Sequence, residues 1–281
     1  MVLNKNLGFI GGGQMAEAII KGLLAAEIIS PENIIVSEPL AERRAYLGQT
    51  YPDIQIIADN KELIKRSDIV IVAVKPQVIT MVLKEIALTV KETNPLIISI
   101  AAGIPLSFLE SLLPKGTRVI RVMPNTPALV LAGVSAYTPG KYASSEDLTL
   151  ARTILSALGE CIELEETHFD AVTGLSGSGP AFVAMFIEGL IDGGVRVGLP
   201  RPVAEKLALE TVLGTAKLLK EAQKNPYEMK AMVTSPGGTT ISGVEVLAKG
   251  GLCGLAMEAV VAATQRSKEL IKALNTAQED L

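Results

Sequence analysis

The sequence predicts an α/β protein in which a mostly parallel sheet, covered by helices on both faces, precedes an all-helical domain. Up to about residue 164, short apolar runs alternate with amphipathic stretches, as parallel strands and their crossover helices do. The runs are continuously apolar, which indicates strands buried on both faces. Beyond residue 165 no β-rich run recurs, and apolar residues follow helical spacing.

The individual elements follow from these patterns in chain order. The segment 68–74, DIVIVAV, is the clearest strand because it is rich in β-branched residues and stops just before Pro76. The predicted strands are 7–10, 33–37, 54–58, 68–74, 96–100, 117–122, 134–138 and 161–164. The predicted helices of the first domain are 14–26, 40–48, one ending near 66, one ending near 91, 105–113 and 146–158. The predicted helices of the second domain are 182–197, 203–223, 244–249 and 256–274.

Length and composition restrict the function classes. A chain of 281 residues is typical of two domains, which we divide into 1–163 and 164–281. The net charge of −4 argues against a nucleic-acid partner. One histidine and two cysteines cannot supply a four-ligand Cys/His zinc site, so we predict no metal. The polar N-terminus and the lack of about 18 successive uncharged apolar residues predict a cytoplasmic protein without a membrane span.

A glycine-rich turn follows the first strand. Residues 11–16, GGGQMA, match the pattern G-x-G-x-x-A between a strand and a helix. In that context the first glycine allows a tight turn, the second allows close approach of a pyrophosphate, and the alanine lets helix and strand pack closely. We therefore predict dinucleotide binding by this turn, with the cofactor-binding candidates Gly11, Gly12, Gly13, Gln14, Met15 and Ala16.

The end of the second strand bears on the choice between NAD and NADP. Ser37 and Glu38 lie there, and a carboxylate at this point can accept hydrogen bonds from a ribose hydroxyl and repel a 2′-phosphate. Arg43 and Arg44 follow closely and could pair with that phosphate, or could lie on a solvated helix face. The sequence leaves the preference between NADP(H) and NAD(H) open.

Further candidates lie where other strands end. Val74 and Lys75 close the fourth strand and Ala102 follows the fifth, at the edge where open α/β sheets bind ligands. The alternative for Lys75 is a lysine that simply caps a surface loop. The segment 123–127, MPNTP, is a stiff turn at the same edge, with a structural role as the alternative. In the second half, 173–181 is either a second phosphate cradle or a tight packing point, and we favour packing. The segment 235–240, SPGGTT, is a candidate carboxylate receptor, or else a capped helix start through the spacing of Ser242 and Glu245.

The single histidine and the two cysteines carry little chemistry in this interpretation. His168 would be needed by any Ser-His-Asp or Cys-His enzyme, but its context favours a partly exposed residue at a helix start. Cys161 and Cys253 lie in apolar surroundings, which predicts buried thiols.

Seven segments occur in one order along almost the whole chain: GFIGGGQMAEAI, AVKPQ, SIAAGI, RVMPNTP, DAVTGLSGSGPAF, DGGVRVGLPR and VTSPGGTT. Together they resemble the pyrroline-5-carboxylate reductase family, and GSGPA combined with SPGGTT is far more specific than the glycine-rich turn alone. The resemblance implies reduction of 1-pyrroline-5-carboxylate to L-proline by NADPH or NADH, the last step of proline biosynthesis. It also implies an N-terminal Rossmann domain, a C-terminal helical dimerisation and substrate domain, and a homodimer that can assemble further, up to a decamer of dimers.

The resemblance also assigns residues. It implies cofactor contacts at Asn60, Lys75 and Ala102, and substrate contacts at Glu166, Gly238, Thr239 and Thr240, with Thr240 as the catalytic hydrogen-bonding group beside the ring nitrogen. This chain has Glu38 where the family often has Ser or Arg, and Met232 where some members have a cofactor-contacting Asn. A hydroxy-acid or other imine dehydrogenase, and a non-catalytic dinucleotide sensor, are the alternatives. The first would need a lysine or histidine acid/base in the helical domain, and the second would not require SPGGTT.

Overall fold

The computed structural model describes residues 3–279, and side chains through residue 272. The described strands are β1 (Leu7–Ile10), β2 (Ile34–Ser37), β3 (Gln55–Ile57), β4 (Ile69–Val72), β5 (Leu96–Ser99), β6 (Arg118–Met123), β7 (Gly133–Pro139) and β8 (Gly159–Glu163). They form one sheet in the order β3-β2-β1-β4-β5-β6-β7-β8. All neighbours are parallel except β6 and β7, so the predicted mostly parallel sheet is confirmed.

Strand β1 lies where the strand order reverses, with β2 on one side and β4 on the other. Ile10, its last residue, pairs in register with Ser37 of β2 and with Val72 of β4. The carboxyl ends of these three strands therefore meet at one edge of the sheet. Such a reversal point is where open α/β sheets bind dinucleotides.

The described helices are α1 (Gln14–Ala25), α2 (Ala41–Thr50), α3 (Asn60–Lys65), α4 (Ile79–Thr93), α5 (Leu106–Leu112), α6 (Ser145–Ser156), α7 (Phe169–Val172), α8 (Gly179–Arg196), α9 (Arg201–Glu221), α10 (Pro226–Met232), α11 (Thr239–Lys249) and α12 (Leu252–Glu279). Side chains alternate across each strand, so the sheet has one apolar core on each face. Phe9 and Ile71 face the core that contains α1 and α6 residues, whereas Ile10 and Val70 face the core built with α3, α4 and α5.

The chain forms two compact units. One contains the residues up to Gly177 together with those from Ala263 onward, and the other is Ser178–Ala262. The boundary expected between 163 and 164 lies inside the first unit. Helix α12 belongs to both units, since its second half returns to the first, where Ser267 Oγ donates to Asp170 Oδ1 at 2.6 Å.

All four helices predicted for the second half begin earlier than predicted, and α11 and α12 differ most. Helix α11 starts at Thr239, directly after the glycines, and the spacing of Ser242 and Glu245 does not form a capping box. The Ser242 hydroxyl instead donates to the Gly238 carbonyl at 3.2 Å. Helix α12 starts at Leu252. Helix α10 was not predicted, although Asn225 and Glu228 form a capping box at its start, a signal visible in the sequence.

The second unit has almost no apolar core of its own. Its buried apolar residues are Ala204 and Ala208, too few to offset the entropy of ordering its helices. Large apolar side chains of α8 and α12 are exposed instead, among them Met185 at 71% and Leu255 at 65%. By length and composition the helical run Glu166–Arg196 could also cross a membrane, an option that the sequence reasoning set aside. The exposed apolar face equally suits a partner helix.

Candidate active site

The glycine-rich turn after β1 is fixed to both neighbouring strands. The Gly11 N–H donates to the Ser37 carbonyl at 2.8 Å, and the Ala73 N–H donates to the Ile10 carbonyl at 2.9 Å. Gly11 has φ +94°, and a Cβ there would lie 2.8 Å from the Ala73 carbonyl oxygen. Conformation and space therefore both require glycine at this position.

Gly13 is different, because the space beside its Cα is open. Its backbone is extended, with φ −70° and ψ −178°, and a Cβ there would meet nothing within 4 Å in the described chain. Gly13 is the N-cap of α1, which no described side chain caps. The N–H groups of Gln14, Met15 and Ala16 in the first turn lack helical acceptors and lie at the positive end of the helix dipole. This cradle fits a pyrophosphate.

Glu38 is buried and turned toward the glycine-rich turn. It is 7% exposed, and its Oε2 accepts from the Gly12 N–H at 2.9 Å while its Oε1 accepts from the Leu40 N–H at 3.0 Å. Two backbone donors thus hold the carboxylate at the end of β2, the position that faces the adenosine ribose in dinucleotide-binding sheets.

The two arginines beside Glu38 are held by groups of this chain. Arg43 Nε donates to the Gly12 carbonyl at 2.6 Å, and its Nη2 pairs with Glu17 at 2.5 Å. Arg44 Nη1 donates to the carbonyls of Glu38 and Pro39 at 2.8 and 2.7 Å. Neither arginine simply lies on a solvated helix face, and sequence reasoning did not find that Arg43 supports the glycine-rich turn.

Ser37 and Asn60 form a polar pair at the ends of β2 and β3. The Ser37 hydroxyl donates to Asn60 Oδ1 at 2.8 Å, and Asn60 Nδ2 donates to Glu85 Oε2 at 3.0 Å. The Ser37 side chain is buried and Asn60 is half-buried. The structure therefore brings these two predicted cofactor residues into direct contact beside the glycine-rich turn.

The remaining predicted cofactor residues follow β4 and β5 at the same edge. Val74 is half-buried, while Lys75 and Ala102 are exposed. The Ile100 N–H donates to the Val72 carbonyl at 3.1 Å, which keeps the ends of β4 and β5 together. Every predicted cofactor candidate thus lies along one edge of the first unit.

The MPNTP turn has a structural role. Asn125 is 9% exposed, and its Oδ1 accepts from the Val134 N–H at 2.9 Å while its Nδ2 donates to the Ser176 carbonyl at 3.2 Å. Ser176 lies in a π-helical turn, Thr173–Gly177. The backbone of this segment is helical and does not form a loop. A Cβ at Gly177 would lie 2.8 Å from Met123 Cε. This close approach favours the packing interpretation over a second phosphate cradle.

Glu166 is held by two donors of the first unit. Its Oε1 accepts from the Leu106 N–H at 2.6 Å and from Arg121 Nη1 at 2.8 Å. The Arg121 side chain is 5% exposed, and its guanidinium carbon stacks 4.6 Å from the centre of the Phe169 ring. Sequence reasoning missed Arg121, although a cation within the apolar strand RVIRVM was a signal, since a buried charge needs a partner.

The three predicted substrate residues of the second unit begin α11. Gly238 is its N-cap, and Thr239 and Thr240 occupy its first turn, which contains no acidic or basic side chain. No described side chain caps this helix, so its first N–H groups can bind a carboxylate. Thr240 is exposed, and its hydroxyl can both donate and accept a hydrogen bond.

The histidine and the cysteines lie outside this chemistry. His168 is exposed at the end of a single helical turn, Glu166–His168, as its context predicts. Cys161 is half-buried, with its thiol pKa raised by desolvation, and Cys253 is exposed in the chain. The prediction that both thiols are buried is wrong, because the face of the second unit that contains Cys253 has no cover within this chain.

Comparisons with known proteins agree with this geometry. The family model described as pyrroline-5-carboxylate reductase dimerisation matches residues 166–270, and the model described as NADP oxidoreductase, coenzyme F420-dependent, matches residues 6–103. A pyrroline-5-carboxylate reductase of Synechocystis sp. is 50% identical over 95% of this chain and 98% of its own. Solved structures of such reductases from Coxiella burnetii and, with NADP bound, from Plasmodium falciparum are also similar. The Coxiella structure has a TM-score of 0.90 and 35% identity, and the match covers 95% of this chain and 99% of that one. The Plasmodium structure has a TM-score of 0.85 and 34% identity, and the match covers 96% of this chain and 99% of that one.

Proposed function

The chain belongs to the pyrroline-5-carboxylate reductase family, and from this premise we propose that it reduces 1-pyrroline-5-carboxylate to L-proline with NADPH or NADH. The observation that carries the proposal is a pair of helix starts that are open to ligands in one chain. At the start of α1, Gly13 leaves room for a phosphate. Helix α11 begins with Thr239 and Thr240 and has no side-chain cap. In this proposal residues 1–163 bind the dinucleotide, and residues 164–281 provide dimerisation and substrate contacts.

The first unit supplies the groups that would hold the cofactor. Gly13 leaves space for the pyrophosphate, and the first turn of α1 offers N–H donors to it. The ends of β2, β4 and β5 supply Ser37, Glu38, Asn60, Val74, Lys75 and Ala102. A bound reduced nicotinamide would supply a hydride.

The substrate needs little from the protein beyond position and charge. The protonated imine carbon accepts a hydride, the C=N double bond becomes a C–N single bond, and the nitrogen keeps the proton as the secondary amine of proline. No protein nucleophile or metal is needed, so catalysis depends on positioning and electrostatics. We assign the substrate carboxylate to the backbone around Gly238 and Thr239, the ring nitrogen to Thr240, and a further contact to Glu166.

The decisive experiment is a spectrophotometric assay of NADH and NADPH oxidation with a panel of substrates. We expect oxidation with 1-pyrroline-5-carboxylate, with L-proline as the product, and negligible rates with keto acids of similar size. A higher rate with a keto acid would instead support a hydroxy-acid dehydrogenase. Dinucleotide binding without turnover of any substrate would support a sensor.

The second unit supports a dimer as the active form. Phe182, Met185, Phe186, Leu190 and Leu255 line an apolar hollow of about 490 Å³ on that unit. A second copy would cover this surface and supply the core that the unit lacks by itself. The family match over 166–270 is to a dimerisation model.

Leu255→Asp is expected to break the dimer, whereas the matched change Leu88→Asp is not. Both leucines are exposed in the single chain, at 65% and 77%, but Leu88 lies on α4 in the first unit. A buried unpaired carboxylate costs several kcal/mol, so dimer dissociation should increase by roughly 100-fold or more. Light scattering at micromolar concentration checks this. A fully active wild-type monomer, or an unchanged Leu255→Asp dimer, would contradict the assignment.

The finer proposals concern assembly and location. We assign assemblies of dimers up to a decamer of dimers, a cytoplasmic location, and no nucleic-acid or membrane partner. The net charge of −4 supports the absence of a nucleic-acid partner. The match of residues 166–270 to a dimerisation model supports a dimer rather than a membrane contact.

A further inference from the structure

We infer that this chain binds NADH in preference to NADPH, and that Glu38 is the residue that determines the preference. The inference rests on the proposed function, because it concerns the cofactor of that reaction. It goes further than the family comparison, in which one similar structure, 34% identical, contains NADP.

The Glu38 carboxylate is fixed rather than free to move away. It is 7% exposed, and one oxygen is bound to Gly12 N–H and the other to Leu40 N–H, at 2.9 and 3.0 Å. Rotation of the side chain out of this corner would leave both backbone donors without their acceptor, which costs free energy where they are buried. An approaching cofactor therefore meets a stationary negative charge.

That charge discriminates between the two cofactors. A carboxylate accepts about four hydrogen bonds through its two oxygens, so both oxygens of Glu38 retain acceptor capacity for a ribose hydroxyl. A 2′-phosphate has only acceptor oxygens at its charged end and carries nearly two negative charges at neutral pH. Beside a fixed carboxylate it loses its hydrogen bonds and is repelled.

The neighbouring cations are already bound by groups of this chain. Arg43 is committed to Glu17 at 2.5 Å and to the Gly12 carbonyl at 2.6 Å. Arg44 donates to the carbonyls of Glu38 and Pro39. To bind a 2′-phosphate with Arg43, the protein would lose an ion pair and a support of the glycine-rich turn.

The test measures cofactor binding directly, without turnover. The dissociation constants of NADH and NADPH are measured by nucleotide fluorescence and calorimetry for wild type, Glu38→Ser and Glu42→Ser. Glu42 lies exposed in the first turn of α2, so its substitution makes the same change in net charge without touching the turn. Thermal unfolding verifies that each variant is folded, and Glu38→Gln replaces Glu38→Ser if the latter unfolds.

We expect wild type to bind NADH about tenfold or more tightly than NADPH. The free energy of one hydrogen bond to a charged group corresponds to about that ratio of dissociation constants. Glu38→Ser should reduce this ratio by about tenfold, and Glu42→Ser should leave it unchanged. Equal or tighter NADPH binding by wild type would overturn the inference, as would an unchanged ratio in Glu38→Ser. Because binding is measured without substrate, inactivity toward 1-pyrroline-5-carboxylate would remove the proposed function and leave this result intact.

Discussion

Replacing Gly13 with valine is expected to weaken binding of either dinucleotide by about 100-fold, close to 2.7 kcal/mol, with the fold intact. The valine side chain would project into the open space above the turn, where a Cβ meets nothing within 4 Å of the described chain. The phosphates could then no longer approach the N–H groups of the first turn of α1. Fluorescence titration with NADH and NADPH measures the loss.

The backbone at Gly13 accepts a side chain, which makes this variant informative. Its extended conformation, with φ −70° and ψ −178°, is open to any residue, and valine at the N-cap costs about 1 kcal/mol relative to favoured residues. Gly11 would be a poor choice, because φ +94° and a carbonyl 2.8 Å from its would-be Cβ make any substitution destabilising. A melting temperature within about 2–4 °C of wild type would show that Gly13→Val is folded.

Gly48→Val is the matched control for Gly13→Val. Gly48 also has no atom within 4 Å of a would-be Cβ. It lies in the last turn of α2, which leads to the start of β3 and away from the carboxyl ends of the strands. The Gly48→Val protein should bind both dinucleotides with the affinity of wild type. Unchanged affinity in a folded Gly13→Val protein would remove the glycine-rich turn from the cofactor site.

Thr240→Val should lower kcat/KM for 1-pyrroline-5-carboxylate by roughly 5- to 150-fold, equivalent to about 1–3 kcal/mol of transition-state stabilisation. The substitution keeps the shape of the side chain and removes one hydroxyl beside the imine nitrogen. A neutral donor/acceptor suits this place, because a cation would repel the iminium. The first turn of α11 contains no charged side chain. Binding of NADH and NADPH should barely change, since the hydroxyl is assigned to the substrate.

Ser242→Ala provides the control on the same helix. Its hydroxyl donates to the Gly238 carbonyl at 3.2 Å, so its loss removes a hydroxyl two positions away without removing a substrate contact. Steady-state kinetics and cofactor titration are compared for the two variants and wild type. Equal kcat/KM in Thr240→Val would exclude Thr240 from the mechanism, and a loss confined to cofactor affinity would assign it to the cofactor.

Features that are contiguous in the chain could be predicted. The strands of the sheet are apolar runs, and the glycine-rich turn is six consecutive residues after the first of them. The early start of α11 was missed because SPGGTT contains no apolar periodicity. The two glycines before it also suit a turn.

The sequence alone determined the α/β class, the position of the glycine-rich turn and the resemblance to one family, because each depends on local spacing. Tertiary structure decided which groups the charged side chains contact. Glu38 reaches Gly12 across 26 residues, Arg121 reaches Glu166 across 45, and Leu106 reaches Glu166 across 60. Only the folded chain also reveals that the second unit leaves its apolar helices uncovered. Such contacts depend on which strands become neighbours and where side chains point, and the hydrophobic periodicity of single elements specifies neither.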